Sequence, residues 1–216
     1  GHGHADHVHD HLPGELMPRR ADIVATPVLG ATFNGAGTNY LIQTPSGVLY
    51  CVYVDTNQDV SFRKSTNKGL TWGLGTVISG AVTVTHLAVW YDRWSNISAG
   101  LIHVAFVESA ADDVSYRTIN TESSDALSTL TVVVALASTS TGGHLSIARA
   151  RGGNVYVKAN IDGTAEGGFY RLPNANVPSG AWDAARTIDE TLAASDQMIL
   201  LPGFAADNQD MLAIYY

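Results

Sequence analysis

Short apolar bursts of about five to eight residues run along this chain from residue 39 onward, each ended by a stretch rich in Gly, Asn, Asp, Ser and Thr. Val48-Leu49-Tyr50-Cys51-Val52-Tyr53-Val54 has the β-branched and aromatic enrichment of a strand. Asp55–Asp59 is a polar turn, Val60–Lys64 reads as the returning strand, and Ser65–Trp72 reads as a second tight turn closed by an indole. No burst approaches the roughly 18 apolar residues of a membrane-spanning helix.

The pattern repeats. Gly47, Gly100 and Gly153 each open a strand and stand 53 residues apart, while Arg63, Arg117 and Arg171 close the second strand at intervals of 54. Each period reads as four strands. The first unit has 39–43, 48–54, 60–64 and 72–78; the second has 86–91, 101–107, 114–119 and 130–136; the third has 144–150, 154–159, 168–172 and 182–188. A fourth unit starts with 198–201 and 211–216. Four antiparallel strands per period of about 40–55 residues is the signature of β-propeller blades. A two-layer sandwich has similar strand spacing but no reason to repeat a Gly–strand–turn–aromatic–Arg unit in register. The expectation is an all-β chain of about three and a half blades, part of a larger propeller, over residues 31–216, preceded by an extended arm over 1–30. The chain begins at Gly rather than Met, in keeping with a piece of a longer protein.

Composition narrows the partners. A net charge of −8 argues against nucleic acid and against an anionic membrane, both of which select a basic footprint. The single cysteine, Cys51, lies mid-strand and reads as a small core residue rather than a nucleophile. In the arm, His2, His4, His7, His9 and His11 alternate with other residues. An extended chain would bring His7, His9 and His11 to one face, where they could share a transition metal within one chain or between chains; a solvated, tag-like linker has the same composition. No other cofactor is indicated. The arm also offers a route to homo-oligomers. Ile23–Val28, also in the arm, reads as an extended strand able to join a sheet edge.

Ser65-Thr66-Asn67-Lys68-Gly69-Leu70-Thr71-Trp72 resembles the Asp-box, or bacterial neuraminidase repeat, with pattern Ser/Thr-x-Asp-x-Gly-x-Thr-Trp, and Asn67 stands where the family has Asp. Ser65, Asn67, Gly69, Thr71 and Trp72 are its structural positions. Ser123–Leu130, with Asp125, is similar to a worn copy, and Ser179–Trp182 retains Trp182. The resemblance implies a sialidase-like wheel with the boxes on the face away from substrate. It also implies an arginine triad, a Tyr–Glu nucleophile pair and an Asp acid/base. Met17-Pro18-Arg19-Arg20-Ala21 is not the Arg-Ile-Pro motif of that family, and one shared strand position for Arg63, Arg117 and Arg171 marks them as blade-pairing residues. The His-x-His stretch of residues 2–13 resembles bacteriophage fibre proteins.

Ligand candidates gather where the turns between second and third strands share an end with the start of the inner strands. They are Asp55, Glu108 and Asp162 in the turns and Tyr40, His86 and His144 on the inner strands, a carboxylate-and-imidazole set suited to a sugar or cation. Acidic residues also favour turns for local reasons. Three functions follow: a non-catalytic virion or cell-surface appendage module, extracellular or on a virion, that binds glycan or protein; a glycoside hydrolase or polysaccharide lyase of the Asp-box type; and a purely structural repeat domain. The first is favoured, because no complete catalytic set is legible.

Overall fold

The computed structural model describes residues 41–80, 83–92, 100–108, 113–135, 145–160, 167–184, 186–187, 198–203 and 211–215. The arm, with His7, His9 and His11, lies outside them, as does any boundary at residue 30. Strands β1 (Leu41–Gln43), β2 (Leu49–Val54), β3 (Val60–Ser65) and β4 (Thr76–Val77) form the first antiparallel sheet in the order β1-β2-β3-β4. The second sheet holds β5 (Val84–Tyr91), β6 (Leu101–Glu108), β7 (Val114–Asn120), β8 (Ala126–Leu127) and β9 (Thr131–Val134), the last two both pairing with β7. The third holds β10 (Leu145–Arg149), β11 (Val155–Asn160), β12 (Gly167–Leu172) and β13 (Arg186–Thr187), and β14 (Met198–Pro202) pairs with β15 (Met211–Tyr215). A single 3₁₀ turn, Asn174–Asn176, is the only helical element among the described residues.

Alternation within each strand divides the side chains between two neighbours. In β2, Tyr50, Val52 and Val54 are buried and the residues between them are half-buried. With Ile42, Val60, Phe62 and Ile78 they pack against Leu87, Val89, Ile102, Val104 and Phe106 of the second sheet, forming one core. The opposite face of the second sheet supplies Ala88, Ala105, Val114 and Tyr116 to a second core, shared with Ile147, Val155, Val157, Tyr170 and Leu172 of the third. Ala148 and Leu200 continue the sequence between the third sheet and β14. The second and third sheets thus bury both faces against successive partners, with about 1.5–3 kcal/mol for every large side chain removed from water. Separate sheets stacked through shared cores are the blades of a β-propeller.

The β1–β2, β5–β6 and β10–β11 turns carry the repeat. Gly47, Gly100 and Gly153 have φ of +84°, +81° and +100°, a backbone conformation that glycine reaches without a Cβ penalty. The outer strands depart from expectation. The strand expected from Trp72 begins only at Thr76, because Gly73 donates its N–H to Lys64 O (2.8 Å) and Leu74 then faces solvent, 93% exposed. The strand expected at 130–136 is present as Thr131–Val134, but a second piece, Ala126–Leu127, precedes it on the same edge, the two parted near Ser128. There Arg117 Nε donates to Ser128 O (2.6 Å) and Thr118 N–H donates to Ser128 Oγ (3.0 Å).

Register also corrects the arginine series. Arg63 lies opposite Cys51 and Arg117 opposite Val104, but the next position in this series, opposite Val157, is Tyr170. Arg171 faces Tyr156 instead and so points to the other side of its sheet. The turn from β6 to β7 is one residue longer than that from β2 to β3, and this extra residue makes the two intervals of 54 look alike.

Candidate functional site

At the β2–β3 and β6–β7 turns, two carboxylates occupy equivalent places. Asp55 accepts from the N–H groups of Asn57 (2.9 Å) and Asp59 (3.1 Å) through Oδ1, and from Ser61 Oγ (2.9 Å) through Oδ2. Glu108 Oε1 accepts from Ser115 Oγ (2.7 Å), and Ser115 matches Ser61 by strand register. Each carboxylate therefore closes its own turn. His86 is buried beside them, on the innermost strand of the second sheet, its Nδ1 3.0 Å from Thr85 Oγ1. A β-bulge between Val84 and His86 sets its direction. Tyr40, His144 and Asp162 lie outside the described residues, and among the described residues no three His, Cys, Asp or Glu side chains come together as a metal site.

The opposite end carries the β3–β4, β7–β8 and β12–β13 turns. In the first, Ser65 Oγ donates to Asn67 Oδ1 (3.0 Å) and accepts from Gly69 N–H (2.9 Å); Asn67 Oδ1 also accepts from Thr71 N–H (2.9 Å), and Asn67 Nδ2 donates to Thr71 Oγ1 (2.8 Å). Lys68 and Gly69 have φ of +60° and +85°, which is why a glycine stands in the motif. Asn67 thus fills the acceptor role of an Asp and adds a donor.

One main-chain clasp recurs in all three turns: Gly73 N–H to Lys64 O (2.8 Å), Ser128 N–H to Thr118 O (3.0 Å) and Asp183 N–H to Arg171 O (2.8 Å). It places Trp182 as the counterpart of Trp72 and gives Leu127, not Leu130, the same position in the second sheet. Trp182 stands edge-on to Tyr116, ring centroids 5.1 Å apart. Asp125 sits within the tight hairpin between Asn120 and Ala126 and turns its carboxylate to the first sheet. It accepts from Tyr50 Oη (2.5 Å) and from Lys64 Nζ (2.6 Å). Burial, together with that bond to Asp125, pushes the Tyr50 phenol well above its usual range. Arg117 adds a second tie between these sheets by donating to Ile78 O (2.8 Å).

A buried polar group absent from the sequence reading joins the second and third sheets. Arg149, with its side chain 1% exposed, lies 3.2 Å from the Asp92 carboxylate, which is 2% exposed. It also donates to Gly153 O (2.9 Å) and Asn174 Oδ1 (3.0 Å). Burial lowers the Arg149 pKa while Asp92 opposes that shift. His103, fully buried, places Nδ1 2.6 Å from Tyr116 Oη, and its Nε2 has no hydrogen-bond partner among the described residues. Burial and the nearby Arg149 charge hold His103 far below the ordinary imidazole value, so it is neutral in the fold. Burial raises the Tyr116 pKa. Closed to solvent, this group ties sheets together. Asp92, in the sequence Tyr91-Asp92-Arg93-Trp94 just past β5, is an interior anchor. The signal for His103 was present as one imidazole inside the apolar run Leu101–Phe106.

Stacked antiparallel sheets with a hydrogen-bonded, Asp-box-like turn define the chain as an all-β protein of the β-propeller class. No protein-family model and no curated protein matches it. Among solved structures it is similar to an ulvan lyase, described as a polysaccharide lyase, at 11% identity and a TM-score of 0.49, covering 75% of this chain and 46% of that one. It is also similar to the intramolecular trans-sialidase from Ruminococcus gnavus, at 10% identity and a TM-score of 0.47, covering 74% and 36%. A third is the NanB sialidase from Streptococcus pneumoniae, at 17% and 0.48, covering 73% and 25%. The chain spans less than half the length of each of these. The propeller assignment rests on the registers and shared cores above.

Proposed function

We propose that the chain is a glycan-binding, sialidase-like propeller module that engages its ligand at the end bearing the β2–β3 and β6–β7 turns. The observation that carries this is the bulge that sets His86 on the innermost strand at that end, between turns whose carboxylates are already held in place. Preorganised polar groups beside an imidazole suit sugar hydroxyls. The ligand class follows the Asp-box likeness. Asp55 and Glu108 are each engaged by a serine of their own sheet, an arrangement that holds turns rather than pairing two carboxyls across a glycosidic bond. A glycan array probed with the whole chain and with His86→Ala tests the site. At least about tenfold weaker binding is expected for the loss of a central polar contact. Undiminished binding removes this end of the propeller from the proposal.

A second reading, glycoside hydrolase or polysaccharide lyase, is favoured by the names of the similar structures, which are a lyase and two sialidase-type enzymes. Release of reducing ends or unsaturated uronates from a polysaccharide panel would establish it in place of the non-catalytic one. Display on a virion or cell-surface appendage is a separate part of the proposal, supported by the His-rich residues 2–13. If His7, His9 and His11 hold a transition metal, EDTA should loosen assembly through the arm; unchanged association discards the metal.

A further inference from the structure

Unpaired polar atoms gather in one seam of the molecule. Among the described residues, the buried side-chain atoms without a hydrogen-bond partner are Arg63 Nε, Trp90 Nε1, His103 Nε2 and Tyr170 Oη. Arg63, opposite Cys51, lies on the face of the first sheet turned away from the second. The other three belong to the seam between the second and third sheets. Tyr170 is buried in the core there, Trp90 packs against it, and the His103 ring stacks on Tyr116 of the same core. Buried polar groups are expensive to leave unbonded, so each such atom calls for a partner.

Two of the three are neighbours. Trp90 on β5 lies directly opposite His103 on β6, and residues so placed on antiparallel strands share a face, with Cβ atoms about 4.5–5.5 Å apart. Tyr116, on β7, engages Nδ1 of His103 at 2.6 Å, which leaves Nε2 for a partner elsewhere. The next pair along this face, Ala88 opposite Ala105, consists of two methyl groups that take little of the space beside the rings. The equivalent rung of the first sheet is filled differently. There Ile42 lies opposite Tyr50, whose hydroxyl reaches Asp125.

The two nitrogens restrict what can satisfy them. An indole only donates, so the ligand of Trp90 must carry a lone pair, which excludes a metal cation. His103 is neutral, and its Nε2 donates in one tautomer and accepts in the other. An anion would bring a charge that the seam does not call for, since Arg149 is already met by Asp92. Water accepts from an indole and serves either tautomer of an imidazole, and buried waters of this kind recur in protein interiors. We propose that one buried water molecule bridges Trp90 Nε1 and His103 Nε2, making the joint between the second and third sheets a hydrated one.

Water-selective NOE and ROE spectra of the isotope-labelled full chain test this, the Trp90 indole proton being assigned by its loss in Trp90→Phe. A cross-peak between that proton and water is expected, with the ROE opposite in sign to the NOE, as for a direct contact that outlasts tumbling. No cross-peak overturns the proposal. In Tyr116→Phe, with the fold checked by circular dichroism, the cross-peak should persist. Its loss there would trace it to the tyrosine hydroxyl exchanging with solvent, and that too overturns the proposal. A crystal structure of the unaltered chain needs no variant. Density for a water oxygen within hydrogen-bonding distance of both nitrogens is expected; a direct indole–imidazole bond, or another side chain in that place, overturns the assignment.

Discussion

Replacing Asp92 by Ala removes the counter-ion of a guanidinium that water does not reach. At the observed 3.2 Å separation and an effective dielectric of about 20, the attraction between the two charges is about 5 kcal/mol. Arg149 keeps its bonds to Gly153 O and Asn174 Oδ1, which soften the loss without neutralising the charge. Breaking a buried pair from one side costs about 3–5 kcal/mol, a third or more of the stability of many domains. Urea unfolding followed by tryptophan fluorescence should show a lower midpoint with unchanged slope. The double variant Asp92→Leu/Arg149→Met should recover part of the loss, because it leaves no charge stranded. A single-variant cost below about 1 kcal/mol, or additivity in the double variant, would refute the claim that this pair locks the second sheet to the third.

Other expectations follow from the same contacts. Tyr50→Phe deletes the hydroxyl that reaches Asp125 across the sheets and should cost about 1.5–3 kcal/mol, as bonds to charged acceptors do, read as a lower melting temperature. His103 has a folded pKa below its unfolded value near 6.5, so the unfolded chain takes up the proton first. Stability should hold above about pH 6.5 and decline as pH falls below it, and His103→Gln should flatten that part of the pH–stability curve; an unchanged curve counts against a neutral buried imidazole. Asn67→Ala removes the acceptor shared by Ser65 and Thr71 and should cost about 1–2 kcal/mol. Asn67→Asp should be nearly neutral, since the Thr71 hydroxyl can reverse its role.

The period was legible because glycine is the residue that takes a positive φ cheaply, so Gly47, Gly100 and Gly153 mark equivalent turns on their own. The Asp-box of the first sheet was legible for the same local reason, each hydrogen bond spanning four residues or fewer. What depended on faces was not. A strand changes side with every residue, so the spacing of Arg171 matched the ruler while its side chain lay on the wrong face. Asp125 looked like a turn residue because its sequence neighbours are turn residues, but its partners Tyr50 and Lys64 are 75 and 61 residues away. Of the ligand candidates, Asp55 and Glu108 lie at paired turns, and the serines that hold them were visible only once the strands were in register.

The clasp between Lys64 and Gly73, Thr118 and Ser128, and Arg171 and Asp183 is made wholly of backbone, and it spans nine, ten and twelve positions in turn. One fastening therefore accommodates an asparagine-centred lattice, a carboxylate bridge to a neighbour and a 3₁₀ coil. Side chains in these loops can drift without loosening the strands beneath. On this side of the wheel, evolution is free to try new surfaces while the scaffold stays as it is.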